Sequence, residues 1–166
     1  MKSINYFADL DLVNKQLQEG AFLTVRSKDR LNTMTIGWGM IGYIWNKPIF
    51  QVLVRPSRYT YNLLREVDNF TVSVPYEYDM NKELAYCGSK SGRDVNKFSE
   101  LNLKTIESPD VNSPFIKRAT YHYSCKISYK DKIIKDKLNQ GILNNFYPDG
   151  DFHYQYYGEI VSAYKN

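Results

Sequence analysis

The strongest restriction on the fold of this chain is an alternation of small and bulky residues over residues 32–40, N-T-M-T-I-G-W-G-M. Successive side chains of a β-strand point to opposite faces, so the alternation predicts a strand with one small and one bulky apolar face. The small face consists of Thr33, Thr35, Gly37 and Gly39, and the apolar face of Met34, Ile36, Trp38 and Met40. Two glycines in register indicate either a flat group or backbone that approaches closely, or a bulged strand of a barrel.

Residues 37–42, GWGMIG, also spell the G-x-G-x-x-G fingerprint of dinucleotide-binding Rossmann units. The fingerprint has this meaning only where a helix follows it and an acidic residue lies about 20 residues further on. Residues 43–48, Y-I-W-N-K-P, are instead typical of a strand and a turn. The basic sequence R-P-S-R at residues 55–58 stands where the acidic residue is needed. The context therefore argues against a Rossmann site.

Length and composition indicate a single domain, which we expect to cover residues 1–166. The 15 tyrosines, many in strand-like runs, predict a β-rich fold. A net charge of +4 without a clustered basic patch argues against a nucleic-acid partner. Two cysteines without a Cys/His cluster predict neither a disulfide framework nor a metal site. With no signal peptide and no long apolar run, we expect a cytoplasmic protein with reduced thiols and no membrane partner.

Periodicity and turn residues predict mainly antiparallel β-structure with short connecting helices. Strands are predicted over residues 21–26, 33–44, 49–54, 69–74, 119–129 and 154–164. Helices are predicted over residues 9–20, 58–67, 80–86 and 94–100, with Ser57 as the N-cap of the second helix. This order favours a barrel over a layered α/β sheet.

Two loops have the composition of anion sites. The first, residues 55–60, R-P-S-R-Y-T, leads from a strand into a helix and combines guanidinium groups, a hydroxyl and free backbone N–H groups. The second, residues 89–94, S-K-S-G-R-D, also precedes a predicted helix, and Lys97 follows. Gly92 permits a left-handed turn and close backbone approach, and Arg93 offers a bidentate contact. One such loop is often only solvated charge, but two in a small barrel indicate the phosphate of a mononucleotide.

Five motifs run in order from about residue 20 to the C-terminus: N-T-M-T-I-G-W-G, W-N-K-P-I-F-Q-V-L-V-R-P-S-R-Y-T-Y, F-T-V-S-V-P, L-A-Y-C-G-S-K-S-G-R-D-V-N-K-F and Y-G-E-I. Together they resemble the flavin reductase-like, FMN-binding split-barrel family, which includes flavoredoxins. The resemblance implies a six-stranded antiparallel Greek-key split barrel that is mainly β. It also implies FMN bound at a homodimer interface and redox chemistry through the isoalloxazine ring.

The resemblance further assigns candidate FMN-binding residues. Thr33, Met34 and Thr35 would offer backbone and hydroxyl groups to the isoalloxazine edge, so that GWGMIG is a barrel strand beside a flavin. The ribityl chain and phosphate would be held by Val54, Arg55, Pro56, Ser57, Arg58, Thr60, Ser91, Gly92, Arg93 and Lys97, with Cys87 and Gly88 close by. How the two loops share the phosphate is left open by the motifs.

A few further residues have alternative interpretations. Cys87 could react with the flavin, but we favour a buried structural thiol. His153 could face the flavin as a proton donor or substrate clamp, although we favour structural or surface roles for it and for His122. Trp38 and Trp45 are interpreted as core or dimer contacts and not as residues that stack on the flavin.

The leading functional hypothesis is an FMN-dependent oxidoreductase that takes a hydride from NADH or NADPH and passes electrons to a small-molecule or protein acceptor. No side chain is required as an acid or base, so catalytic residues stay unassigned. One alternative is a non-enzymatic electron carrier of the flavoredoxin type that receives electrons from a partner protein. Another is a β-barrel binding protein without a redox function.

Overall fold

The computed structural model describes residues 1–166, which form ten β-strands, five α-helices and one 3₁₀ turn. The strands are β1 Lys2–Ser3, β2 Ala21–Ser27, β3 Arg30–Ile36, β4 Gly39–Ile44, β5 Lys47–Val54, β6 Asn69–Val74, β7 Thr105–Ile106, β8 Phe115–Ile116, β9 Tyr121–Lys132 and β10 Tyr154–Lys165. The helices are α1 Leu10–Glu19, α2 Tyr59–Leu64, α3 Asn81–Ser89, α4 Lys97–Glu100 and α5 Gln140–Phe146, and the 3₁₀ turn covers Lys135–Lys137.

Antiparallel hydrogen bonding joins the long strands in the order β3-β2-β6-β9-β10-β5-β4, and β1 pairs with the end of β10. The two ends of this path, β3 and β4, do not pair with each other, and β3 approaches β5 across the opening. The predicted class, a mainly β antiparallel split barrel with short connecting helices, is confirmed. The predicted count of six strands is too low, because the sheet also contains β1 and a separate β4.

The strand predicted over residues 33–44 is divided in two, because the chain leaves β3 after Ile36 and resumes as β4 at Gly39. A Cβ atom on Gly39 would lie 2.8 Å from the Gln51 carbonyl oxygen of β5, so the close pairing of these two backbones requires glycine. β4 returns to β5 through a two-residue turn in which Trp45 and Asn46 have φ values of 55° and 57°. Positive φ at both positions produces a hairpin turn whose twist matches that of the paired strands.

The predicted alternation of β3 is confirmed up to Ile36. Met34 and Ile36 belong to the main apolar core inside the barrel. Thr33 and Thr35 point the other way, and Thr35 Oγ1 donates a 2.6 Å hydrogen bond to the Leu84 carbonyl of α3. β3 therefore lies between the barrel interior and α3, which restrains its position from both sides.

A second apolar cluster attaches α3 and the loops around it to the outer face of β2. Its buried members are Phe22, Met80, Leu84, Cys87, Leu103 and Ile116. Burial of a large apolar side chain contributes roughly 1.5–3 kcal/mol, so this cluster holds the end of α3 firmly against the barrel.

The four predicted helices are present with changed bounds: α1 ends at Glu19 with Gly20 as its C-cap, and α3 continues to Ser89, three residues beyond its predicted end. α2 begins at Tyr59 with Arg58 as its N-cap, and the Ser57 hydroxyl donates to Asp151 instead of capping the helix. α4 begins only at Lys97, because the Asn96 side chain accepts hydrogen bonds from the backbone N–H groups of residues 98 and 99. The preceding residues 94–96, predicted as helix, therefore lie outside it.

Residues 133–153, which we call the strap, connect β9 to β10 and contain the 3₁₀ turn and α5, neither of which was predicted. The two ends of the strap meet where the Ile133 N–H donates to the His153 carbonyl at 2.9 Å. No residue of α5 is buried. The strap is therefore a surface segment closed at its base by the β9–β10 ladder.

Neither cysteine forms a disulfide, and both are buried. None of the helices is long and apolar enough to cross a membrane.

Candidate functional site

The first loop, the end of α3 and the second loop enclose a cavity of about 80 Å³ on one side of β3. We call it the cationic cavity, because its ionisable lining residues other than Tyr59 and Cys87 are all basic: Arg58, Lys90, Arg93 and Lys97. No acidic residue lines it. The two predicted anion loops therefore meet in one cavity, and its charge favours a negatively charged ligand.

Lys97 is the least exposed of these cations, with 3% of its surface accessible. Its ammonium donates hydrogen bonds to the carbonyl oxygens of Thr33 at 2.9 Å and Cys87 at 2.8 Å. No carboxylate lies within ion-pair distance of it, and burial lowers the pKa of Lys97. An ammonium group has three N–H donors, so one donor is left for a ligand. A buried charge without a counter-ion is costly, and an anion in the cavity would offset that cost.

Arg93 connects the two loops. Its Nη1 donates to the Ser57 carbonyl at 3.0 Å, and its guanidinium lies 5.7 Å from the centre of the Tyr59 ring. The Arg93 N–H also donates to Ser91 Oγ at 3.2 Å. These contacts hold the positive charge of Arg93 at the cavity before any ligand binds.

Gly92 has a packing role and not the left-handed conformation expected from the sequence, since its φ is not positive. A Cβ atom on Gly92 would lie 2.2 Å from Asn32 Oδ1 and 2.8 Å from the Tyr59 ring. Asn32 is in turn fixed by donating from Nδ2 to Thr60 Oγ1 at 2.8 Å. The expected close approach of the backbone is therefore present, but its partner is a side chain of β3.

The short helices contribute less positive charge than the sequence indicates. α2 has six residues and α4 has four, so neither offers the aligned peptide dipoles of a long helix. Because α4 begins at Lys97, Ser91–Arg93 do not stand at its first turn. The positive potential of the cavity comes from side chains.

A second cavity of about 210 Å³, the β3 cleft, follows the outer end of β3 toward the strap. It is lined by Met34, Thr35, Ile36, Gly37, Trp38, Leu53, Arg55, Arg58, Gly88 and His153. Met34, Arg58 and Gly88 line both cavities, so the two are contiguous. Together they form one continuous site, in which the cationic cavity is the smaller part and the partly apolar β3 cleft is the larger part.

Trp38 and His153 form the outer wall of the β3 cleft. Trp38 is 40% exposed, which contradicts a place in the core, and its ring lies 5.0 Å from the His153 ring. His153 Nδ1 lies 2.8 Å from the Tyr147 hydroxyl. Burial, followed by the charge of Arg55, lowers the pKa of His153 to about 4, so its imidazole is neutral at pH 7.

The first loop also holds the strap. Arg55 donates to the carbonyl oxygens of Asp151 at 3.0 Å and Phe146 at 2.8 Å, and its guanidinium lies over the Tyr147 ring at 5.1 Å. The Ser57 hydroxyl donates to Asp151 Oδ2 at 2.6 Å. The guanidinium of Arg55 is thus engaged by the strap and lies outside the cationic cavity.

Most of the site residues expected from the sequence come together. The cationic cavity contains Met34, Ser57, Arg58, Thr60, Cys87, Gly88, Ser91, Gly92, Arg93 and Lys97, and the β3 cleft contains Met34, Thr35, Arg55, Arg58 and Gly88. Thr33 reaches the site only through its carbonyl, because its hydroxyl donates to the Leu23 carbonyl and accepts from the Thr24 hydroxyl of the neighbouring strand. Val54 is a core residue, and Pro56 lines neither cavity.

Sequence analysis missed several lining residues. In the cationic cavity these are Asn32, Tyr59, Ser89 and Lys90, and in the β3 cleft Ile36, Gly37, Trp38 and Leu53. His153 also lines the cleft, which agrees with one of its two interpretations from the sequence. Tyr59, Ser89 and Lys90 stand inside the two loops and could have been included, whereas nothing local marks Asn32 or Leu53.

The cysteine and the second histidine have structural environments. Burial raises the pKa of the Cys87 thiol to about 11, which keeps it protonated and unreactive at neutral pH. His122 is fully buried with Nδ1 3.2 Å from Ser73 Oγ, and burial lowers its pKa to about 4.

The protein is thus an antiparallel split barrel whose cationic cavity opens into a longer cleft, an arrangement suited to a phosphorylated ligand. The chain belongs to the flavin reductase-like domain family, whose model matches residues 18–165. The resemblance seen in the sequence motifs is therefore confirmed.

Solved structures of similar fold include the flavoredoxin of Methanosarcina acetivorans, 26% identical with a TM-score of 0.70 over 89% of this chain and 68% of that chain. An FMN-binding protein of Thermus thermophilus has a TM-score of 0.67 at 22% identity, over 88% of this chain and 69% of that chain. This second likeness concerns the fold alone.

Among sequence relatives, an uncharacterized protein of Archaeoglobus fulgidus is 30% identical over 106 residues, which are 64% of this chain and 59% of the relative. The match to a protein of Pyrococcus abyssi covers 55% of that relative. The chain thus spans less than two thirds of the length of these relatives.

Proposed function

We propose that this protein binds FMN, with the phosphate in the cationic cavity and the isoalloxazine ring in the β3 cleft. The observation that carries the proposal is the buried ammonium of Lys97, which lacks a carboxylate partner in a cavity lined by four cations and no acid. The family, and the FMN-binding protein of similar fold, support FMN as the phosphorylated ligand.

The residues present fit the two ends of FMN. Lys97 and Arg93 would hold the phosphate, because both already have charged donors directed at the cavity or its rim. Arg58 and Gly88, which line both cavities, would lie beside the ribityl chain. Met34, Thr35 and Trp38 would border the ring.

Bound FMN supplies hydride and single-electron transfer, and the protein supplies orientation and access. The reaction that we propose is that of an FMN-dependent oxidoreductase which accepts a hydride from NADH or NADPH and reduces a small-molecule or protein acceptor. The neutral imidazole of His153 and the ring of Trp38 would shape the outer wall against which that second substrate docks. Neither side chain has to transfer a proton in this scheme.

The second candidate function is an electron carrier that receives electrons from a partner protein. The similarity to a flavoredoxin favours it. In either case we propose one domain located in the cytoplasm, where two free cysteines stay reduced. We also propose a homodimer, because β4 and its turn expose Met40, Tyr43, Ile44 and Trp45.

The absorption spectrum of the purified protein tests the proposal directly. We expect a stoichiometric flavin spectrum as purified or after addition of FMN and desalting. Protein that takes up no flavin at micromolar concentration contradicts FMN binding. Anaerobic addition of NADH and then NADPH separates the two functions, because rapid bleaching indicates a reductase and an unchanged spectrum indicates a carrier.

A further inference from the structure

Ser57 is the point at which the strap meets the cationic cavity. It lines the cavity, yet its hydroxyl donates to Asp151 Oδ2 at 2.6 Å and its N–H donates to Asp151 Oδ1 at 3.3 Å. Hydroxyl and backbone N–H groups are the donors that a bound phosphate would also use. A carboxylate of the strap therefore occupies anion-binding donors at the edge of a cavity that has no acid of its own.

The backbone at this contact is strained. Asp151 has a φ of 53° and follows Gly150, whose φ is 81°. Residues other than glycine adopt positive φ uncommonly, although aspartate does so more often than most. Such conformations persist where the surroundings hold them, and here Ser57 holds the carboxylate while Arg55 holds the Asp151 carbonyl.

The strap is held unevenly, because Tyr147 and His153 are buried whereas α5 is not. No residue of α5 is buried, and Phe146 at its end is 46% exposed where it meets the Trp38 ring. Segments with few buried apolar contacts open locally at low free-energy cost. α5 is therefore the part of the strap that opens most easily, and the polar contacts of Asp151 and Arg55, with the buried ring of Tyr147, attach the residues after it.

We propose that Asp151 is a latch that competes with the ligand phosphate for Ser57. When a phosphate enters the cationic cavity and takes the Ser57 donors, the Asp151 carboxylate is released and the strap opens the β3 cleft to the second substrate. The inference rests on the proposed function, which supplies the phosphate. Because coupling between two equilibria is reciprocal, loss of the latch strengthens phosphate binding.

The test compares Asp151→Ala with Asp149→Ala, which removes the same charge from an exposed strap residue that has no hydrogen-bonded partner. Affinities for FMN and riboflavin are measured by flavin fluorescence, and opening of residues 139–153 by amide hydrogen exchange. We expect Asp151→Ala to bind FMN about three- to tenfold tighter, the size of one exposed hydrogen bond, and riboflavin unchanged. FMN, but not riboflavin, should accelerate exchange in the wild-type strap.

The outcomes separate the latch from the proposed function. Equal gains in FMN affinity for the Asp149 and Asp151 variants, or slower exchange of the strap with FMN, overturn the latch and leave FMN binding intact. If the wild-type protein binds neither flavin, the proposed function is wrong and the latch is rejected with it.

Discussion

The cationic cavity and the β3 cleft share three wall residues, but they are built in different ways. The cavity is closed by buried or tightly packed groups, with Lys97 bonded to two carbonyl oxygens and Gly92 packed against Asn32. The cleft is closed by the half-exposed ring of Trp38 and by a strap whose helix α5 has no buried residue. The difference indicates that one end of the site is organised to hold an anion and the other to admit a reaction partner.

Lys97→Met is expected to have the largest effect on FMN affinity, and this effect should arise only in the cationic cavity. Loss of a charged hydrogen bond should weaken FMN about tenfold to a hundredfold, or roughly 1.5–3 kcal/mol, with little effect on riboflavin, which lacks the phosphate. The stability of the ligand-free protein should change little, because loss of the hydrogen bonds to the carbonyl oxygens of Thr33 and Cys87 opposes the gain from removing a buried charge without a counter-ion. Isothermal titration and thermal melting measure the two effects.

Lys130→Met is the matched control, since Lys130 is an exposed lysine of β9. An equal loss of FMN and riboflavin affinity in the Lys97 variant would contradict the assignment of the phosphate to the cationic cavity and of the ring to the β3 cleft.

Gly92→Ala tests whether the packing of the cavity wall is as tight as the geometry indicates. The added methyl group would meet Asn32 Oδ1 and Tyr59, so we expect a loss of about 1–3 kcal/mol in the free energy of unfolding. Gly42→Ala is the control, because a Cβ atom there has no neighbour within 4 Å. If urea unfolding gives the same stability for both variants, Asn32 and Tyr59 can shift to accommodate the methyl group, and the cavity wall is not tightly packed.

Mild acid should destabilise the protein through its two buried histidines. The pKa values of His122 and His153 are lowered to about 4 in the folded protein, against 6.5 in the unfolded chain. The unfolded state therefore binds more protons as the pH falls below 6.5, and each histidine reduces stability by about 1.4 kcal/mol per pH unit down to about 4.

Urea unfolding at pH 7.5, 6.5 and 5.5 measures this slope. His153→Gln should remove the contribution of His153, at the cleft wall, to the pH dependence of stability. His122→Gln should remove the contribution of His122, which is buried in the protein. A slope that is the same in the His153 variant and the wild type would mean that His153 is accessible to protons in the folded protein.

Trp38→Ala should have the smallest effect, and it should act only in the β3 cleft, where we place the isoalloxazine ring. Loss of one aromatic contact, worth about 0.5–1.5 kcal/mol, should weaken FMN and riboflavin alike by about two- to tenfold. Tyr76→Ala, at an exposed aromatic residue that lines neither cavity, should leave both affinities unchanged. A selective loss of FMN in the Trp38 variant would place the ring outside the β3 cleft.

The features that were predictable from the sequence depend on neighbouring residues. The alternation of residues 33–36, the end of α1 at Gly20 and the bounds of β6 follow from strand period and glycine conformation, which act within a few residues. The two basic loops could likewise be read as anion sites, because their charged residues are adjacent in the chain. The family motifs indicated in addition that the anion bound by these loops is the phosphate of a flavin.

The remaining features arise from contacts between distant segments. Arg55 was expected at the phosphate, but its partners lie in the strap more than 90 positions later, where no local pattern marks them. The burial of Lys97 requires β3 and α3 to come together around it, and the requirement for glycine at position 92 comes from Asn32 of β3. Side-chain period and turn chemistry are local properties of a chain, whereas counter-ions, burial and cavity walls exist only once separate segments have packed together.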